Sequence, residues 1–146
     1  METNFFAPMD LIRQVLPAMR ERKSGTIINI SSAAGIQAKA SRSLYSGSKF
    51  ALEGFSEALH AELKPLGIRV LLVEPGAFRS RFAGNLSVGS QDLPEEYKGT
   101  ICEQMLQLVK DMGGKVRLPG DVEKGVQAIW GTISIPKLIF DMTNCR

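Results

Sequence analysis

The chain has 146 residues, 44% hydrophobic, 23% charged and 7% aromatic, the balance of one ordinary globular domain and not of a fibrous or low-complexity chain. Its 18 Lys and Arg against 15 acids leave a net charge of +3, and only Arg20, Arg22 and Lys23 cluster. With Glu21 interrupting that cluster and no aromatic residue interleaved, neither composition nor charge indicates a nucleic-acid partner.

Two cysteines, Cys102 and Cys145, stand at no metal or disulfide spacing, which fits a reducing compartment, here taken as the cytoplasm. No apolar run approaches the ~20 residues of a membrane helix, and the first residues do not follow a secretion-signal pattern. In chain order, residues 4–22 repeat Phe5, Met9, Ile12, Val15, Leu16 and Met19 opposite Asp10, Arg13, Gln14 and Arg20, which predicts an amphipathic helix. Pro8 suits a first turn, whereas Pro17 is expected to kink or end the last one. Ser24 and Gly25 then turn the chain into residues 26–30, β-branched or apolar at four of five positions. That segment reads as a buried parallel strand ending in Ser31, Ser32 and Gly35. The next helix is expected to start at Ser41 or Ser43, either of which could cap it, and to carry Leu52, Phe55, Leu59 and Leu63 until Pro65 and Gly67 stop it.

Residues 68–73 form a second apolar strand, so strand, helix and strand make a right-handed βαβ unit and the fold class is α/β. In such sheets ligands bind beyond the carboxyl ends of the strands, at Ser31 and Ser32 after the first and at Glu74, Pro75 and Gly76 after the second. Residues 77–99 read as a long irregular loop beside that site, of the kind that closes over ligands. Ile101, Met105, Leu108 and Met112 then recur at helical spacing. Asp121 should cap a last helix carrying Val122, Val126 and Ile129, closed by Trp130 and Gly131. Residues 133–140, with Pro136 inside, are an edge strand at best.

The chemistry concentrates where the first strand delivers Ser32 and the following helix delivers Tyr45 and Lys49 on one face, a turn apart. A phenol with an ordinary pKa near 10 can transfer protons near neutrality only if its phenolate is stabilised, and an ammonium one turn away does that. Taken singly, these residues have plainer readings: Ser32 as a turn or cap, Asn4 as an N-cap, Lys49 as a solvated helix charge. His60 stands in no constellation, and Met9, Met19, Met105 and Met112 are core or interface filler first. Ser32 lies thirteen residues before Tyr45, Asn4 lies twenty-eight before Ser32, and PGAFRS, ending in Ser80, follows the second strand; it is the family resemblance these spacings carry that outweighs the plainer readings.

In these spacings the chain resembles the short-chain dehydrogenase/reductase family, in the form typical of fungal members. The likeness runs over residues 3–130 and corresponds only to the second half of the family's domain. It implies a partial Rossmann-like, doubly wound parallel sheet over residues 1–131, with 132–146 as a divergent tail. It also implies an NAD- or NADP-dependent oxidoreductase interconverting a small-molecule ketone and secondary alcohol. In that reading Tyr45 protonates the substrate oxygen, Ser32 orients it, and Lys49 supports Tyr45 and holds the nicotinamide ribose. Asn4 orders a water that backs Lys49, and Pro75, Gly76 and Ser80 line the nicotinamide. The family also pairs copies through the helices represented here by residues 4–22 and 43–64.

The departure from the family is at the front. Nothing before Asn4 supplies the strand, glycine-rich turn and helix that hold the cofactor's pyrophosphate, nor the residue that chooses between NAD and NADP. Two expectations follow: an oxidoreductase whose sequence is incomplete, or a short product without catalysis that serves as a binding or dimerisation module. Either way the first strand is expected to leave Ile27, Ile28 and Ile30 exposed along an unpaired edge. The chain should then be marginally stable and self-associating.

Overall fold

In the computed structural model, which describes residues 1–81, 85, 93–112 and 118–133, the apolar stripe of the first segment folds as helix from Glu2 onward. A π-helical turn, Glu2–Phe6, runs directly into α1, Ala7–Glu21, which buries Ile12 and packs Leu16 and Met19 against the core. Of the two outcomes expected at Pro17, a kink or an end, the end does not occur: α1 continues to Glu21. Pro17 and Arg13, whose carbonyl it deprives of a partner, both lie on the exposed side, where water can take the place of the lost bond. The real stop comes later. Lys23 at φ 52 donates its N–H to Arg20 O (3.2 Å) and Ser24 donates to Met19 O (3.1 Å), the paired bonds of a Schellman motif.

The chain then enters β1, Gly25–Ile30, crosses over through α2, Ser43–Leu63, and returns in β2, Ile68–Val73. The two strands are parallel, with Gly25 opposite Ile68 and Ile30 opposite Val73, as a βαβ unit requires. Neither Ser41 nor Ser43 caps α2. Arg42 holds the N-cap position without a side-chain bond, Ser43 is already helical, and Ser41 makes a left-handed turn at φ 63 that swings the chain into the helix. At the other end a 3₁₀ turn, Lys64–Leu66, leads to Gly67 at φ 72. A Cβ there would run into the Lys23 carbonyl, so the turns closing α1 and α2 stack where both strands begin.

One core joins these four elements. Ile12, Ile27, Leu59, Leu63, Ile68 and Val70 form it, with Leu16, Met19 and Phe55 around its margin. Ile27 and Val70 are register partners, so α1 and α2 cover the sheet face on which those two lie. On the opposite face the Arg69 guanidinium donates to Thr26 Oγ1 (3.3 Å) and to the carbonyl of Ile133, the last residue of α4, Val122–Ile133. Leu71 and Val73 are buried on that side. The expected exposure of β1 is therefore corrected: Ile27 is core, Ile28 is half-buried, and only Ile30 is exposed. The pleat alternates the three isoleucines between faces, Ile27 on the face that α1 and α2 cover and Ile28 and Ile30 on the face where Arg69 reaches α4. Among the described residues β1 has no strand partner other than β2.

After β2 a parallel bridge links Phe78 to Gly120, and a 3₁₀ turn, Glu95–Tyr97, precedes α3, Ile101–Met112. Asp121 caps α4 as expected, its Oδ1 accepting from Glu123 N–H (2.9 Å) and Lys124 N–H (3.2 Å). The helix continues past Trp130 and Gly131, where the recognisable sequence pattern closes, and includes Ile133. Much of the expected loop over 77–99 and the tail strand beyond Ile133 lie outside the described residues. No described helix is long and apolar enough to cross a membrane.

Candidate active site

The carboxyl ends of the two strands are tied together by their backbones: Ser31 donates its N–H to Val73 O (2.7 Å) and Ala33 donates to Pro75 O (3.3 Å). Past β1 the chain makes one 3₁₀ turn, Ala33–Gly35, which packs against α2. Its cap is Ser32, whose Oγ accepts the Ala34 N–H at 3.1 Å. Ser32 thus fulfils the plain capping role, and because the hydroxyl is the acceptor there, its own proton remains to be donated. At Gly35 an added Cβ would lie 2.8 Å from Ser31 Oγ and 2.9 Å from Glu53 Oε1, so the missing side chain is what lets this turn approach α2 so closely.

Lys49 is not a solvated charge. It is 9% exposed, and its ammonium donates to the carbonyl of Ile30, the last residue of β1, at 2.8 Å. Burial lowers its pKa from the ordinary 10.5, while the negative charge of Glu53, one turn further along α2, works against that shift. The ammonium stands 5.9 Å from the ring centroid of Tyr45, one turn earlier, within reach of a cation–π attraction. Two of its three protons remain for other acceptors after the bond to Ile30. The fold therefore gathers Ser32, Tyr45 and Lys49 at the end of β1.

Asn4 is not an N-cap. It sits inside the π-helical turn, where its Nδ2 donates to Ser48 Oγ (3.1 Å), and Ser48 Oγ donates in turn to the Tyr45 carbonyl (2.7 Å). Its side chain is thereby joined to the turn of α2 between Tyr45 and Lys49. Pro75 and Gly76 follow β2, and a Cβ added at Gly76 would meet nothing within 4 Å. Ser80 is exposed just beyond a segment held by Gly120 N–H to Ala77 O (3.0 Å) and Arg79 N–H to Gly120 O (2.9 Å).

Ser48 and Glu53 were not singled out from the sequence. A signal existed: α2 carries Ser46, Ser48 and Ser56, residues of lower helix propensity than alanine whose small side chains suit a helix face that another element approaches closely, and all three are buried. The partners they meet are far away in sequence. Asn29 Nδ2 donating to Ser56 Oγ at 2.7 Å is a buried example across 27 residues.

The short chain dehydrogenase family model matches residues 1–90. The oxidoreductase claN of Passalora fulva is 47% identical over 118 residues, 80% of this chain and 53% of its own length. A solved short-chain dehydrogenase from Streptomyces avermitilis superposes with a TM-score of 0.74 at 38% identity, covering 95% of this chain and 50% of the other. A 4-hydroxyisoleucine dehydrogenase solved with NADH and succinate gives a TM-score of 0.64 at 26% identity, over 92% of this chain and 49% of that one. The chain thus spans about half the length of each of these three proteins, with a two-stranded parallel sheet and a helix-borne tyrosine and lysine in the half it contains. Since the family model covers more than half of its residues, the chain belongs to the short-chain dehydrogenase family.

Proposed function

We propose that this chain carries the proton-transfer half of an NAD- or NADP-dependent oxidoreductase that interconverts a small-molecule ketone and a secondary alcohol. The observation that carries the reading is Lys49, an ammonium buried at the carboxyl end of β1, bonded to Ile30 O and set against the Tyr45 ring. A lone solvated lysine has no reason to accept that burial. One that holds a neighbouring phenolate does.

Tyr45 delivers its phenolic proton to the substrate oxygen in reduction and takes one back in oxidation. Lys49 stabilises the phenolate left behind and, through its remaining N–H groups, binds ribose hydroxyls. Ser32 donates its free hydroxyl proton to the same substrate oxygen, and Asn4 backs the turn that carries Tyr45 and Lys49. Pro75 and Gly76 fit a flat ring, because the space where a Gly76 side chain would stand is open; Ser80 adds a hydroxyl at the rim. A nicotinamide, when bound, supplies or accepts the hydride. The NADH in the 4-hydroxyisoleucine dehydrogenase structure supports a cofactor of this class.

The test is Tyr45→Phe in the polypeptide that carries this sequence, assayed with NADH and NADPH against a panel of ketones. Turnover should fall by at least ~100-fold with cofactor affinity little changed, since a general acid contributes about that much. Lys49→Ala should damage both. A Tyr45→Phe protein that keeps most of its turnover overturns the assignment. For residues 1–146 alone, calorimetry should find no micromolar cofactor binding, because the residues present reach only the nicotinamide and ribose.

Pairing of two copies through α1 and α2 belongs to the same proposal. Leu11 is 64% exposed, with Val15 one turn on and Phe50 of α2 exposed as well, an apolar surface that supports such an interface. Light scattering of the wild type and of Leu11→Arg tests it: a dimer that persists in the variant places the contact elsewhere.

A further inference from the structure

Ser48 is 1% exposed, and the proposed chemistry gives it no part. It nevertheless has both of the hydrogen bonds that link the beginning of the chain to the Tyr45–Lys49 turn. Its Oγ accepts from Asn4 Nδ2 at 3.1 Å, and its proton goes to the Tyr45 carbonyl at 2.7 Å. Asn4 and Ser48 are 44 residues apart, and between them lie all of α1 and β1. The turn that holds Asn4 is π-helical and buries no residue fully; its apolar anchor is Phe5, edge-to-face with Phe55 of α2 at 5.9 Å, and the bond through Ser48 is the polar link beside it.

We infer that Ser48 is a positioning residue, whose hydroxyl fixes the Asn4 amide on α2 and, by the same bond network, sets the backbone of Tyr45 one turn before Lys49. This rests on the reading of Tyr45 and Lys49 given above only for its catalytic consequence; the positioning itself is a property of the chain. A buried hydroxyl that donates and accepts at once leaves two groups unpaired when it is removed, here the Asn4 amide and one lone pair of a carbonyl. Alanine at 48 fits the space and makes neither bond. Threonine keeps the hydroxyl.

The experiment uses residues 1–146 as they stand. Only one Tyr-Ser pair occurs in the sequence, Tyr45-Ser46, so carbonyl-13C tyrosine with 15N serine yields a single correlated NMR signal that reports the Tyr45 carbonyl. In Ser48→Ala that carbon should move to lower shift as its hydrogen bond is lost, and the Asn4 side-chain amide, assigned with Asn4→Ala, should exchange its protons ~10-fold faster. Ser48→Thr should restore both. A Tyr45 carbonyl and an Asn4 amide unchanged in a folded Ser48→Ala protein overturn the inference. If Ser48→Ala fails to fold, Asn4→Ala decides instead: the backbone signals of residues 45–49 should shift, and their constancy overturns it.

Where the polypeptide that carries this sequence turns over, Ser48→Ala should lower kcat ~10-fold with KM little changed, as loss of alignment does. An unchanged kcat alongside the two NMR effects overturns the catalytic consequence. Absence of turnover in the wild type, or retention of turnover by Tyr45→Phe, instead counts against the functional reading and leaves the NMR arms to decide the positioning.

Discussion

The body formed by α1, β1, α2 and β2 and the region from residue 93 onward are built on different physics. The body shares one apolar core to which every element contributes, and Ile68 at its centre is 1% exposed. The later region is fastened to it at polar points: the Phe78–Gly120 bridge, Arg79 against Asp121 at 3.0 Å, and Arg69 reaching the Ile133 carbonyl. Several of its apolar residues face outward, Val122, Val126 and Trp130 along α4 and Ile101 and Leu108 on α3, while Leu106, Val109, Ile129 and Ile133 are half-buried and none reaches the burial of the body's core. Ser32, Tyr45, Lys49 and Asn4 all belong to the body. The proposed proton-transfer groups are therefore held by packing, and the later region is free to vary its surface without disturbing them.

The largest test of that contrast is a pair of truncations. Ile68→Ala removes a buried side chain from the centre of the core and should cost ~2–5 kcal/mol, enough to erase the cooperative urea transition of a small sheet. Trp130→Ala removes a larger side chain that is 73% exposed and should stay within about 0.5 kcal/mol. If the tryptophan truncation costs as much as the isoleucine one, the later region is packed as the body is, or pairs through α4 in solution.

The same contrast governs what could be read from the sequence. Periodicity and turn residues are local, so the two parallel strands, the crossover helix and the Asp121 cap were legible to within a residue or two. The cap at Ser41 or Ser43 was not, because a serine caps only in extended backbone, whereas Ser41 takes the left-handed region at φ 63 and Ser43 is already helical. That α1 would run on past Pro17 was not legible either, because the cost of its missing N–H depends on which side of the helix meets water. At the site, helix spacing paired Tyr45 with Lys49, and the resemblance to the short-chain dehydrogenase/reductase family added Ser32 and Asn4. The bonds of Lys49 to Ile30 O and of Asn4 to Ser48 span 19 and 44 residues and exist only once the core has formed.

Lys49 sharpens the contrast from the body's side, through pH. Its pKa in the folded chain is lowered from 10.5, chiefly by burial, with Glu53 opposing. Below the folded pKa both states are protonated, and the burial penalty is fully present. As pH rises from there toward 10.5 the folded state releases its proton before the unfolded state does, so stability should rise across that window and level off above it. Urea midpoints in steps across the window should show the rise in the wild type and not in Lys49→Met. A fall over the same window would mean that the bond to Ile30 O and the field of Glu53 outweigh burial.

The smallest effect is expected at Asp121, where the same linkage runs with the opposite sign and through exposed groups. Its carboxyl is held below the ordinary 3.8 first by the Lys124 N–H, then by the Glu123 N–H and the Arg79 guanidinium. A depressed carboxyl adds stability above its ordinary pKa and loses it as pH falls through the lower, folded value. Acidification should therefore release the Glu123 and Lys124 amides to exchange with solvent, and Asp121→Ala should release them at neutral pH, while the amides of Ile27 and Val70 in the core stay protected. Salt should weaken the Arg79 contribution and leave the cap itself, since screening acts on the exposed ion pair more than on the short bonds to backbone N–H groups. Core amides that lose protection in step with those of α4 would show that both regions open as one unit, and that the polar fastenings bind α4 to the body as firmly as the apolar core binds its own four elements.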